Sequence, residues 1–178
     1  MKINYKQKNR GFSLVETLVA IAIFSASIIG LMSVLASGIA DTNYARQKIT
    51  ATYLAQEGIE YIRNMRDTNA LAGGAWNNFT TSLNSCVNKD SACGINNSVP
   101  TTDSRFIFSC STGDCKLYTN SGGFDTNSAT GIDSGFTRKI WKETVNGDEV
   151  KIFSQVSWTQ GSGLKDITLS EDLFNWIE

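Results

Sequence analysis

Histidine is absent from all 178 residues of this chain. That removes the commonest general base and the commonest metal ligand together, so serine–histidine triads, cysteine–histidine pairs and histidine-based zinc sites are excluded. Proline occurs once, at Pro100, so no ring geometry breaks a helix before that point. A strong charge of either sign is missing too: 16 basic residues face 17 acidic ones, for a net charge of -1. Nucleic-acid phosphates call for a dense Lys/Arg surface, and no nucleic-acid partner is expected from this balance. At 41% hydrophobic composition the length suits one globular core rather than two.

One further absence is local. From Thr17 to Ala40 no residue is charged, whereas residues 1–10 carry Lys2, Lys6, Lys8 and Arg10 and no acid. About 20 apolar residues at about 1.5 Å each cover a bilayer core, so the run is long enough to span one, with the basic end left in the cytoplasm and the C-terminal part exported. A plain signal anchor accounts for the length and the flanking charge but not for Glu16. A cleaved secretory signal peptide, with Gly38-Ile39-Ala40 as its site, wants an apolar core of about 7–15 residues and no acid within it. The remaining reading makes Gly11 the last residue of a leader and Glu16 a functional group.

The stretch Gly11-Phe12-Ser13-Leu14-Val15-Glu16-Thr17-Leu18-Val19-Ala20 resembles the cleavage and methylation motif of type IV prepilins and type II secretion pseudopilins. The resemblance rests on the basic leader, the glycine, the aromatic after it and the glutamate beyond. It implies that a membrane prepilin peptidase/methyltransferase cuts between Gly11 and Phe12 and methylates the amine of Phe12. It also implies partners: other pilin or pseudopilin subunits, an inner-membrane assembly platform and the lipid bilayer. A carboxylate in an apolar helix is costly without a partner, and the new ammonium of Phe12 in a neighbouring subunit can supply one to Glu16. Small residues at Ser25, Ala26, Ser27, Gly30, Ser33, Ser37 and Gly38 let such helices pack closely. Major pilins often carry a proline in this segment; its absence here favours a minor pilin or pseudopilin.

Beyond Ala40 the helix is expected to continue. Ile49, Tyr53, Leu54, Gly58, Tyr61, Ile62 and Met65 recur at three- and four-residue intervals, the mark of an amphipathic helix with one buried face. One helix from about Phe12 to about Asp67 follows, and residues 53–67 are similar to the same part of V-type minor pilins and I-type pseudopilins. Residues 72–135 turn to Asn, Ser, Thr, Gly and Asp and read as a loop region. It holds Cys86, Cys93, Cys110 and Cys115, which in an exported segment read as disulfides. Three pairings are open; Cys86–Cys93 and Cys110–Cys115 are the expectation because each closes a short loop. A four-thiolate zinc site lacks the usual two-residue spacing. Asp125, Asn127 and Asp133 offer oxygen ligands to calcium but depart from an EF-hand, so no metal and no cofactor is expected.

From residue 136 to 178 the pattern becomes regular. Runs at 136–145 and 149–158 flank Asn146-Gly147-Asp148, predicting a hairpin with a primed turn. Val150, Ile152, Val156 and Trp158 share one parity, and a third strand at about 165–169 completes an antiparallel meander. The predicted fold is α+β and pilin-like, one long N-terminal helix packed on a C-terminal antiparallel sheet. Its parts are a leader over 1–11, a membrane or filament-core helix over 12–40 and an exported head over 41–178. Trp76, Trp141, Trp158 and Trp176 suggest a sugar platform, but buried packing is the commoner use of such rings. No motif sets a nucleophile beside a base, or two carboxylates in a cleft, so a structural subunit is expected rather than an enzyme. The competing class is a single-pass, membrane-anchored exported enzyme or ligand-binding protein.

Overall fold

A computed structural model describes residues 11–110, 115–120, 123–126, 131–161 and 163–176. The basic residues Lys2, Lys6, Lys8 and Arg10 of the leader, and Asn127, lie outside the described residues. The chain divides into two units, Met1–Asn43 and Tyr44–Glu178. Helix α1 (Leu14–Leu71) begins in the first and ends in the second.

In the second unit α1 buries Ala51, Leu54, Ala55, Gly58, Ile59, Ile62 and Met65. This stripe differs from the predicted one. Ile49 and Tyr53 are exposed, and the alanines at 51 and 55 take the inner face. The reason is distance: small side chains bring the helix axis near the sheet, where isoleucine and tyrosine would hold it off. The end of α1 at Leu71 lies four residues past the expected one.

The partner of that stripe is an all-antiparallel sheet. Strands β5 (Ile132–Asn146), β6 (Glu149–Gln160) and β7 (Gly163–Phe174) form its meander. Inward residues alternate as the pleat requires: Phe136, Arg138, Ile140 and Lys142 on β5 are buried, as are Val150, Ile152, Ser154, Val156 and Trp158 on β6. The other side of β5 is shared by two short hairpins. β1 (Cys93–Ile95) with β2 (Ile107–Ser109) meets it at Ile140, and β3 (Lys116–Asn120) with β4 (Gly123–Asp125) meets its first half. The region read as loops thus contains four strands, along with helix α2 (Trp76–Ser82).

The turn between β5 and β6 falls where expected but in another form. Neither Gly147 nor Asp148 has positive φ, so the turn is not primed. Instead the register shifts between Thr144 and Asn146, and Asn146 Oδ1 accepts the Asp148 N–H at 2.9 Å. The bulge supplies the twist that a primed turn would otherwise provide.

Two apolar clusters fill the space between helix and sheet. One gathers Ile62, Met65, Phe79, Leu83, Ile95, Phe106, Ile140 and Ile152 with the Cys86–Cys93 bridge; the other gathers Ala51, Leu54, Ala55, Leu117, Phe136, Val156 and Trp158. A polar waist lies at Gly58. There the buried Arg138 guanidinium donates to Leu54 O at 3.2 Å and Glu57 Oε2 at 2.8 Å, and sits 5.4 Å from the centre of the Tyr61 ring. Lys142, also buried, donates from Nζ to Thr80 O at 2.6 Å and Asn84 Oδ1 at 2.8 Å. It thereby places a cation at the C-terminal end of α2, where free carbonyls favour one. Burial pushes its pKa down.

Both disulfides are formed, Cys86–Cys93 and Cys110–Cys115. Each ties its segment to the open edge of β5: Cys86 O accepts the Lys142 N–H at 2.7 Å, and Cys115 O accepts the Arg138 N–H at 2.9 Å. An edge that would otherwise offer free backbone groups is thereby covered.

Candidate processing and assembly site

Gly11, Phe12 and Glu16 lie together at the start of α1 in the first unit, and all three are exposed. Ser13 begins the helix. Its Oγ accepts the Glu16 N–H at 3.3 Å and its carbonyl accepts the Thr17 N–H at 3.2 Å, so it acts as N-cap with Glu16 three residues on. Ser13-x-x-Glu16 has the spacing of a capping box, its serine half formed, with an acid where the helix dipole favours one. Ser13 is absent from the residues singled out above, although Ser-x-x-Glu ahead of an apolar run is the signal that finds it. Glu16 therefore has two physical roles available, one within its own helix and one toward another chain.

Beyond the cap, α1 exposes a continuous apolar surface. Leu14, Leu18, Ile21, Phe24, Ile29, Leu31, Val34 and Leu35 are all more than half exposed. The helix is long and apolar enough to cross a membrane. Three of its hydroxyls are bonded to the helix backbone: Ser27 Oγ donates to Ile23 O at 2.8 Å, Ser37 Oγ to Ser33 O at 3.2 Å and Thr42 Oγ1 to Gly38 O at 2.7 Å. These bonds satisfy the three hydroxyls within the helix, as an apolar surrounding requires. A Cβ at Gly30 or Gly38 would meet nothing within 4 Å, so both are open for close approach by another helix.

The other candidate residues are separate from this site. Asp125 is buried, accepting from Ser98 Oγ at 2.8 Å and Thr126 N at 2.6 Å; Asp133 accepts from Gly135 N at 2.8 Å. Asp125 thus ties the segment at Ser98 to the end of β4, and Asp133 serves a local turn and pairs with Lys116. Among the described residues no group of three or more His, Cys, Asp or Glu side chains is arranged to hold a metal. The four tryptophans divide: Trp158 is buried, Trp141 stacks on Phe153 at 5.2 Å between ring centres, Trp76 is half-buried and Trp176 is exposed.

Residues 6–40 match the family model described as the prokaryotic N-terminal methylation motif. No curated protein and no solved structure matches the chain significantly. The motif and the apolar helix that carries it fit a membrane-anchored, single-pass protein.

Proposed function

We propose that this type IV pilin-like protein is a structural subunit, a minor pilin or pseudopilin, of a membrane-anchored filament. A prepilin peptidase/methyltransferase cuts it between Gly11 and Phe12 and methylates the Phe12 amine, after which its head is displayed outside the inner or cytoplasmic membrane. Removal of residues 1–11 takes away Lys2, Lys6, Lys8 and Arg10, leaving 12 basic against 17 acidic side chains, a side-chain charge of -5.

The observation that carries this reading is an acid on the first turn of a helix whose next residues, Thr17 to Ala40, hold no other charge, inside a matched methylation motif. An unpaired carboxylate at membrane depth costs about 2.5–3.5 kcal/mol on insertion scales, and more without water nearby. Cleavage offsets that cost by creating an ammonium at Phe12. On one helix that ammonium lies beside the cap; between helices it meets the Glu16 of a neighbour and neutralises two charges that apolar surroundings disfavour. Proline-free α1 favours the minor or pseudopilin type.

Glu16→Ala and Glu16→Gln separate the two roles of this carboxylate. Either acid or amide completes a capping box, but only the acid pairs with an ammonium. Both variants should insert and be cleaved after Gly11, while the fraction recovered in sheared filaments relative to membrane falls in both. Assembly restored by glutamine would reduce Glu16 to a helix cap, and equal fractions in all three proteins would remove its assembly role. Intact-mass measurement on protein from its own host checks the start at Phe12 and the methyl group; a chain beginning at Met1 or Asp41 would overturn the pilin reading.

A further inference from the structure

The C-terminal end of α1, the segment entering α2 and the end of β7 surround a cavity of about 240 Å³. Trp76, Phe174 and Trp176 supply its aromatic wall, and Arg66, Asn69 and Asn175 its polar one. All six belong to the second unit. Trp176 is 59% exposed and Phe174 51%, large apolar areas for residues that the core does not use.

The polar groups are held in place by the protein. The Trp76 indole donates to Gly147 O at 2.9 Å, and its ring lies against Phe79. Asn69 donates from Nδ2 to Gly74 O and Ala75 O, at 3.2 and 3.0 Å, and Asn175 Nδ2 donates to Asp148 Oδ1 at 3.0 Å. Both amide N–H groups of Asn69 and one of Asn175 are thus engaged, which leaves the two Oδ1 atoms to accept from a ligand and one Asn175 N–H to donate. Arg66 sits 5.8 Å from the centre of the Trp176 ring, and its Nε donates to Asp67 Oδ1 at 2.8 Å.

This arrangement selects among ligand charges. A cation that sought the aromatic rings would meet Arg66, which already lies against Trp176. An anion would find that guanidinium neutralised by Asp67. What remains is a neutral ring with one apolar face and several hydroxyl donors. We propose that the cavity binds a neutral hexopyranose unit of a glycan, its C–H face on Trp176 and its hydroxyls donating to Asn69 and Asn175. Aromatic stacking with a few fixed polar contacts is the usual make-up of a small-molecule site. The site needs no filament around it, so it stands apart from the assembly reading.

The test uses the full chain in detergent, labelled with ¹⁵N at the tryptophan indoles and titrated with methyl glycosides of glucose, galactose, mannose and their N-acetylamino forms. The Trp176 indole signal, assigned by its loss in Trp176→Phe, should shift saturably with at least one sugar, with a Kd of the order of millimolar for so small a ligand. The Trp158 signal should not move. Read from the indole of Trp76, which lines the same cavity, Trp176→Ala should weaken binding at least about tenfold, while Trp176→Phe keeps a stacking face and binds within a few-fold of wild type. Three results would each overturn the proposal: no saturable shift with any sugar, equal affinity in Trp176→Ala, or binding of adenosine without sugar. Shifts of Trp176 on dilution alone would assign the cavity to a second copy of the chain and overturn it likewise.

Discussion

Gly58→Ala tests how closely α1 approaches its sheet. A Cβ at position 58 would stand 2.5 Å from Ser154 Oγ, 3.1 Å from Arg138 Cδ and 3.2 Å from Ile140 Cδ1. By helix propensity alone, alanine gains about 1 kcal/mol over glycine. Against that, adding a carbon to a packed core costs about 1–3 kcal/mol. The first contact is too short to persist, so either Ser154 rotates or α1 lifts from β6. Lifting would stretch the bonds from Arg138 to Leu54 O and Glu57, and so disturb the waist between the two apolar clusters. A net loss of about 1–2 kcal/mol is expected, which for a unit of this size lowers Tm by about 3–8 °C. Ser154 provides the control. Its buried Oγ has no hydrogen-bond partner among the described residues, so Ser154→Ala should be neutral or slightly stabilising. In the double variant the short contact is gone, and a favourable coupling of about 1–2 kcal/mol should appear. Thermal unfolding of the four proteins followed by near-UV circular dichroism measures the cycle. If Gly58→Ala is as stable as wild type, or if the cycle shows no coupling, the helix is not held at the distance inferred from Gly58.

Three other outcomes are open to measurement. Replacing both Cys86 and Cys93 by serine should cost about 2.5 kcal/mol through the unfolded loop they close, read as a lower denaturation midpoint; an unchanged midpoint would mean that β5 holds the segment without the bridge. Arg63 donates to both carboxylate oxygens of Glu171, at 3.1 Å from Nε to Oε1 and 2.6 Å from Nη2 to Oε2, but both side chains are about a third exposed, so a double-mutant cycle should give only about 0.5–1 kcal/mol and shrink in high salt. Asp103 accepts from the Arg105 side chain and backbone N–H, which lowers its pKa to about 2; the stabilisation is present above the ordinary carboxylate value and lost as pH falls through about 2, and carboxyl NMR should show the midpoint rising toward 3.8 in Arg105→Ala.

The helix and the β5–β6 hairpin were legible because their signals are local. Val150, Ile152, Val156 and Trp158 mark the inward face of β6 by parity, and Asn146-Gly147-Asp148 marks its turn, although a bulge rather than a primed turn supplies the twist. In sequence, the third strand is visible only to about Leu169, whereas β7 runs to Phe174. Its continuation, Ser170-Glu171-Asp172, looks like surface, yet inward Glu171 is the carboxylate that meets Arg63 on α1. Glu171 interrupts the inward period of Ile167, Leu169 and Leu173, so the apolar alternation breaks off at Leu169 although the strand goes on. The strands β1, β2 and β4 have three residues each, too short for any period, and exist because β5 and the disulfide segments give them edges to pair with.

The two candidate sites differ in the same way. Glu16 stands out in sequence because the twenty-odd residues after it hold no other charge, and that contrast is local. Ser13 was legible too, by the spacing that makes it a cap. The cavity was not. Trp158 is marked as a core residue by its parity with Val150, Ile152 and Val156, but no such pattern in the sequence says that Trp176 lines a cavity. That placement comes from where α1 and β7 end: Arg66 on the helix meets Trp176 beyond the strand, and Trp76 is fixed by Gly147 in the β5–β6 turn. Exposure of one ring and burial of another are therefore consequences of register, since ending β7 at Phe174 carries Trp176 past the last paired residue and away from the inward parity that holds Trp158.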